Sequence, residues 1–262
     1  MSWLANKNIV IIGGTTGMGI SAAKAFVREG AQVMVVGRNP ESCQQAEVEL
    51  QGKGKAISGD AAQPHLADEA IRQCIAQFGG FDGLYHVAGG SGRRFGDGPL
   101  HEISLEGWEA TFQLNLTSLF LSNQAAVRQF LRQQTGGSIL NMGSVLGQSP
   151  SPKYFTTHAY AAAKSAVIGF VKATAAYYAP HNIRINVLAP ALVETPMSQR
   201  ASSDSLIQDF IRTKQPLEHG RNGQPTDLDG AAVYFMSDFS CFTTGQVLNV
   251  DGGWSISEGQ YS

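Results

Sequence analysis

The chain predicts an α/β fold, a parallel sheet of about seven strands with helices on both faces. Three observations carry that prediction. Short apolar runs alternate with helix-like segments along the whole length, the pattern of strands joined by crossover helices. The first run is followed at once by a glycine-rich turn and an amphipathic stretch. No internal repeat, linker or low-complexity segment breaks the alternation. At 262 residues the chain suits one domain, 1–262, with a sizeable core; two independent domains would be small.

Asn8–Ile12 is the short apolar run that a strand buried on both faces needs. Gly13, Thr15, Thr16, Gly17, Met18 and Gly19 form the turn after it, and Ile20, Ala23, Phe26 and Val27 then repeat at helical spacing up to Glu29. Glycines in such a turn let the backbone bend tightly and approach a pyrophosphate, whose charge sits at the helix N-terminus. The spacing is Gly-x-x-x-Gly-x-Gly, unlike the Gly-x-Gly-x-x-Gly of the standard dinucleotide fingerprint. Any tight strand-to-helix turn can use glycines, but this placement points to a nucleotide and to a doubly wound Rossmann fold.

The second strand, Gln32–Val36, ends in Gly37, Arg38 and Asn39. An NAD site usually has a carboxylate about 20 residues past the glycines, to bond the ribose hydroxyls. Here no carboxylate occurs until Glu41, and Arg38 stands at the strand end. A carboxylate would repel a 2′-phosphate, whereas a guanidinium binds one through paired, charge-assisted hydrogen bonds. NADP(H) is therefore favoured over NAD(H), against the alternative of a solvent-facing Arg.

The remaining elements come in chain order. A helix is predicted over Pro40–Gln51, a strand over Lys55–Ser58, a helix over Pro64–Phe78 and a strand over Gly83–Val87. One long helix, Leu105–Gln134, leads to the strand Ser138–Met142. A helix opening near Tyr160 precedes the strand Arg184–Leu188, and a helix over Thr226–Met236 precedes the last strand, Val247–Val250.

Tyr160 and Lys164 lie four apart, on one face if Tyr160 opens a helix, and Ser144 precedes them at the end of a strand. An ammonium near a phenol favours the phenolate, which would lower the Tyr160 pKa and make it a proton donor and acceptor near neutral pH. Ser144 could hydrogen-bond the same substrate oxygen. Tyr-x-x-x-Lys alone is common on amphipathic helices; its weight comes from the nucleotide turn upstream.

Gly13, Gly17 and Gly19 with Ser144, Tyr160 and Lys164 resemble the signature of the short-chain dehydrogenase/reductase family, in particular its 3-oxoacyl-[acyl-carrier-protein] reductase branch. The likeness runs from about Asn6 to Trp254. It implies that Asp60 and Ala61 contact the adenine ring and that Ala88 and Gly89 pass close to the adenosine ribose. It further implies that Val193 and Thr195 hold the nicotinamide amide and a phosphate. Asn115 matches the family's fourth catalytic residue, which holds a proton-relay water. Three departures stand out. His86 and Val87 replace two family asparagines, Ala191 replaces a glycine after Pro190, and the interval from Ser144 to Tyr160 is about three residues longer than the common one.

Three segments are expected to shape a substrate pocket. Gly89–Pro99 carries Arg93, Arg94 and Phe95; the arginines either grip an acidic substrate or carrier or belong to a solvated loop. Val145–Ala159 carries Leu146, Tyr154, Phe155 and His158, the last either lining the pocket or simply preceding the helix. The segment 191–221, with Leu206, Ile207, Phe210 and Ile211 at helical spacing, is a lid by resemblance or an ordinary surface helix.

A formal net charge of −2 argues against nucleic acid as an electrostatic partner. No apolar run is long enough to span a bilayer, and Met1–Lys7 lacks the pattern of a signal peptide. Three scattered cysteines suggest reduced thiols in the cytoplasm. Six histidines without a His-x-x-x-His or Cys-x-x-Cys pattern speak against a metal site.

The predicted activity is hydride transfer between NADP(H) and a small-molecule carbonyl or secondary alcohol, with Tyr160 as general acid/base. The alternatives are an NAD-dependent alcohol, sugar or steroid dehydrogenase and a non-catalytic nucleotide-sensing regulator. The resemblance also implies a homo-oligomer, tetramer or dimer. Phe112, Leu116, Leu119, Phe120, Phe170, Ala173 and Tyr177 are candidates either for that contact or for the core.

Overall fold

The computed structural model describes residues 2–260. Seven strands form one wholly parallel sheet: β1 (Asn8–Ile12), β2 (Gln32–Gly37), β3 (Gly54–Ser58), β4 (Gly83–His86), β5 (Gly137–Met142), β6 (Ile183–Pro190) and β7 (Val247–Val250). Their order is β3-β2-β1-β4-β5-β6-β7. The order reverses between β1 and β4, and such a switch point opens a crevice beyond the carboxyl ends of the strands.

The central strands read as unbroken apolar runs because both of their faces are covered. Successive side chains alternate across a strand. On β1, Ile9 and Ile11 enter the core on one side of the sheet, and Val10 and Ile12 enter the core on the other. Val33 and Val35 of β2 part from Met34 and Val36 in the same way.

The first face is covered by α1 (Gly17–Arg28), α2 (Pro40–Glu49) and α9 (Asp229–Met236), through Ala22, Phe26, Ala46, Ala232 and Phe235. The second is covered by α3 (Leu66–Phe78), α5 (Ser118–Gln133) and α6 (His158–Tyr178), through Ile71, Phe130, Val167 and Val171. Remaining helices are α4 (Leu105–Phe112), α7 (Gln199–Ser203) and α8 (Ser205–Lys214). Burying a Phe or Ile side chain in either layer contributes roughly 1.5–3 kcal/mol, so the two layers together clamp the sheet between helices.

The single helix predicted over Leu105–Gln134 is interrupted. A π-helical turn, Gln113–Thr117, separates α4 from α5, with the Ser118 N–H donating to the Gln113 carbonyl. The wider turn directs Asn115 inward, where its side chain is fully buried and bonds the loop after β4. A π turn marks an inserted residue and is commonly found at functional sites.

Segment 191–221 contains two short helices, α7 and α8. Ile207, Phe210 and Ile211 pack with Val145, Ala201 and Trp254 in a small separate cluster, while Leu206 faces solvent. Among the described residues the three cysteines are free thiols, and no helix is long and apolar enough to cross a membrane.

Candidate active site

Ser144, Tyr160 and Lys164 line one crevice of about 410 Å³ at the carboxyl end of the sheet. Ser144 follows β5 and caps a single 3₁₀ turn, its Oγ accepting the Leu146 N–H at 3.2 Å. Tyr160 is in the first turn of α6. That helix start is capped from a distance: Asp97 accepts the N–H groups of Ala159 at 3.0 Å and Tyr160 at 2.9 Å. Thr157, the local N-cap residue, makes no side-chain cap bond.

Lys164 is one helical turn on. Its Nζ donates to the Met142 carbonyl at 2.8 Å and lies 5.6 Å from the centre of the Tyr160 ring. Gly89 brings the loop after β4 against the same group: a Cβ there would lie 2.8 Å from Asn115 Oδ1 and 3.6 Å from Lys164 Nζ. Asn115 itself does not line the crevice. Its Nδ2 donates to the carbonyls of Gly90 and Thr111, both at 2.9 Å, and its Oδ1 accepts the Gly90 N–H at 3.0 Å. Both amide donors are thereby used, and one lone pair of Oδ1 remains.

The electrostatics differ from the sequence expectation. Burial pushes the Tyr160 phenol up from its ordinary value, and a hydrogen bond from Ser144 pulls against it. The net shift is upward, opposite to the lowering expected from Lys164. Burial also depresses Lys164 to about 8, because its ammonium is almost wholly out of water.

A family model described as enoyl-(acyl carrier protein) reductase matches residues 13–255. A 2,5-dichloro-2,5-cyclohexadiene-1,4-diol dehydrogenase of Sphingobium indicum is 34% identical over 256 residues, 97% of this chain and 99% of that one. A 3-oxoacyl-[acyl-carrier-protein] reductase of Chlamydia trachomatis is 33% identical over 95% of this chain and 98% of its own length. The solved gluconate 5-dehydrogenase of Burkholderia cenocepacia, in complex with NADP and tartrate, superposes with a TM-score of 0.87 at 30% identity, covering 96% of each chain. The chain belongs to the short-chain dehydrogenase/reductase family. It is thus an enzyme of an oxidoreductase family that works with a nicotinamide cofactor.

The glycine turn of this dehydrogenase/reductase fits such a cofactor. Gly13 has φ +83°, and a Cβ on it would meet the Ala88 backbone nitrogen at 2.6 Å. A Cβ on Gly19 would lie 2.0 Å from the Gly13 carbonyl oxygen. Side chains at these points would collide with the chain's own backbone, so only glycines allow the turn to close this tightly. Thr16, the N-cap of α1, makes no side-chain cap bond and no acidic residue stands in the first turn, so the end of that helix is left for an anion. Thr195 comes to the same place from beyond β6, its Cγ2 lying 3.4 Å from where a Gly17 Cβ would be. Val193 is buried nearby and bridges to Gly223. Thr15 packs on Gly37 at the end of β2, and Arg38 extends beyond it, exposed. Asp60 and Ala61 follow β3 on the same edge, with Asp60 Oδ1 accepting the Ala62 N–H at 3.0 Å. Met18, Gly89, Val193 and Thr195 all reach the crevice wall.

The three departures from the family pattern are accommodated locally. His86 is buried, with Nδ1 2.8 Å from Ser122 Oγ and Nε2 3.5 Å from Ser118 Oγ, so α5 supplies polar contacts where the family has an asparagine. Burial, and then the charge of Lys164, drive its pKa down to about 3 and keep it neutral. Ala191 lies in the crevice wall, and the longer interval after Ser144 supplies Leu146, Phe155 and Thr157 to it. His158, by contrast, is exposed and outside the crevice. Sequence reasoning missed Asp97, the Met142 carbonyl, Arg200 and Trp254. The first two act through backbone groups and carry no motif. Trp254 is buried in the wall, with Nε1 donating to the Ser149 carbonyl at 3.1 Å.

Proposed function

We propose that the protein is an NADP(H)-dependent carbonyl reductase, reversibly converting a ketone of a small molecule to a secondary alcohol. The observation that carries this reading is the convergence of Ser144, Tyr160 and Lys164 on one crevice beside the glycine turn. When bound, the nicotinamide supplies or accepts the hydride. Ser144 hydrogen-bonds the carbonyl oxygen. Tyr160 donates its hydroxyl proton to that oxygen as it gains charge, and its raised pKa keeps the proton in place beforehand, which suits reduction at neutral pH. Lys164, fixed by the Met142 carbonyl, binds the nicotinamide ribose and steadies the phenolate left after transfer. Asn115 secures Gly90 and Thr111, and with them the floor under Lys164.

Arg38 supports NADP(H), since it stands where a ribose-binding carboxylate would repel the extra phosphate. Asp60 and Ala61 are assigned to the adenine, Ala88 and Gly89 to its ribose, and Thr15, Thr16, Val193 and Thr195 to the phosphates and amide. Segment 191–221 is assigned as a lid, because Met197, Arg200 and Ala201 line the crevice and α8 packs behind Ala201. A cytoplasmic homo-oligomer is proposed, with exposed Phe120 and Tyr177 on the shared face.

A second reading is oxidation of a diol or secondary alcohol with NAD, favoured by the Sphingobium dehydrogenase among its relatives. Initial rates with NADPH, NADH, NADP⁺ and NAD⁺ over a panel of ketones, 3-oxoacyl thioesters and alcohols separate the two. Absence of turnover with every cofactor would leave the sensor reading instead.

A further inference from the structure

The crevice collects positive charge. Its wall carries Arg93, Arg94, Lys164 and Arg200 and, among the described residues, no Asp or Glu. The chain as a whole has a formal net charge of −2, so this is a local concentration against the general balance. The pyrophosphate does not account for it, because the glycine turn reaches this wall only through Met18. Arg38 is not part of the wall either.

Two separate loops deliver the guanidiniums. Arg93 is on the 3₁₀ turn Arg93–Phe95 after β4, and Arg200 is on α7 after β6. Arg93 is half-buried and has no ion-pair partner among the described residues. Asp97, the carboxylate whose charge acts on it, bonds the N–H groups of Ala159 and Tyr160 and forms no ion pair with Arg93. Arg200 has one long bond, 3.4 Å, to the Tyr154 carbonyl. Arg93 and Arg200 line the same crevice, and burial and then the like charge of Arg200 press the Arg93 guanidinium below its ordinary value. A half-buried cation that shares a wall with further cations and forms no ion pair of its own is what an incoming anion relieves.

We propose that the substrate carries an anionic group, a carboxylate or phosphate, seated between Arg93 and Arg200 while its reacting carbon lies at Ser144 and Tyr160. This rests on the hydride-transfer reading and names the substrate class for it. A crevice of about 410 Å³ takes a small molecule, and Leu146, Phe155 and Trp254 in the same wall suit a hydrocarbon body between two polar ends.

The test compares charged and neutral partners of one carbonyl. Oxo acids from 3-oxobutanoate to 6-oxoheptanoate are assayed beside their methyl esters, and dihydroxyacetone phosphate beside dihydroxyacetone, with NADPH. The expected result is a preference for the charged member of roughly tenfold or more in kcat/KM, expressed mainly in KM, in at least one pair. The carboxylate and phosphate arms say which anion is used. Arg93→Gln and Arg200→Gln each collapse that ratio, Arg93→Lys retains part of it, and NADPH affinity measured by fluorescence confirms that each variant is folded. Equal use of charged and neutral members, or variants that leave the ratio unchanged, overturns the proposal, as does a preference confined to protein-bound acyl carriers. Calorimetric titration of the oxo acids into the NADP⁺-saturated protein separates the two readings. Arginine-dependent binding without turnover keeps the anion site and removes hydride transfer; turnover of neutral ketones without acid preference does the reverse.

Discussion

Asp97 and Tyr160 are joined through the backbone: the carboxylate of the one receives the N–H of the other at 2.9 Å, and the N–H of Ala159 at 3.0 Å. A loop residue from beyond β4 thus caps the helix that carries the phenol and the amine. Asp97→Ala should cost about 1–2 kcal/mol, the usual loss of a helix N-cap, and lower kcat more than it raises KM for NADPH. Urea unfolding and steady-state rates check both; unchanged stability would show that water or Thr157 replaces the cap.

Tyr160→Phe removes the hydroxyl while keeping the ring. Turnover should fall by roughly 10²–10⁴, the range for loss of a general acid. NADPH affinity should change little, as read from its fluorescence on binding. Rates near those of the parent protein would remove Tyr160 from the mechanism.

Arg38→Asp places a carboxylate at the end of β2. NADPH affinity should fall on the order of 100-fold, from loss of a charged partner plus repulsion, and NADH affinity should rise. Titrations with both cofactors decide it. Undiminished NADPH binding would contradict the assignment of Arg38 to the extra phosphate.

His86 gives the protein an acid-sensitive core. Its folded pKa, about 3, is below the ~6.5 of an unfolded His, so the unfolded chain takes up the proton first. The contribution is complete above about pH 6.5 and is lost as pH falls towards 3, on the order of 5 kcal/mol at most. His86→Asn should flatten the acid limb of stability against pH in urea unfolding. An identical limb in both proteins would mean that the imidazole is reached by water.

Lys164 acts on the alkaline side. Its folded pKa, about 8, is below the ~10.4 of an unfolded Lys. Below pH 8 both states hold the proton and the cost of burying the charge is fully present. Between about 8 and 10.4 the unfolded chain binds more protons, so stability rises with pH, by on the order of 3 kcal/mol in all. Lys164→Met should remove that rise, seen as the difference between the two stability profiles.

Much of the architecture is legible from the residues because a sheet buried on both faces demands unbroken apolar runs. Ile9 to Ile12 announce β1, and the predicted Val247–Val250 coincides with β7. The break in the helix after Leu105 is not legible, since it depends on Asn115 finding the Gly90 backbone across the chain. The direction of the Tyr160 shift is hidden for a related reason. Helical spacing places Lys164 near it, but desolvation by the surrounding walls sets the direction of the shift, and walls are a tertiary property. Arg93 is ambiguous in the sequence for want of Arg200, which only folding brings into the same crevice wall. The Asp97 cap has no local signature at all.

The widened turn at Gln113–Thr117 carries a length constraint. Deleting one residue there would let α4 and α5 merge into one regular cylinder, rotating α4 by about 100° relative to α5. Asn115 would swing away from Gly90, and the strap beneath the amine would lose its anchor. Insertions and deletions in exposed loops are more readily absorbed, but this stretch counts residues, because its length sets whether Asn115 reaches the Gly90 backbone.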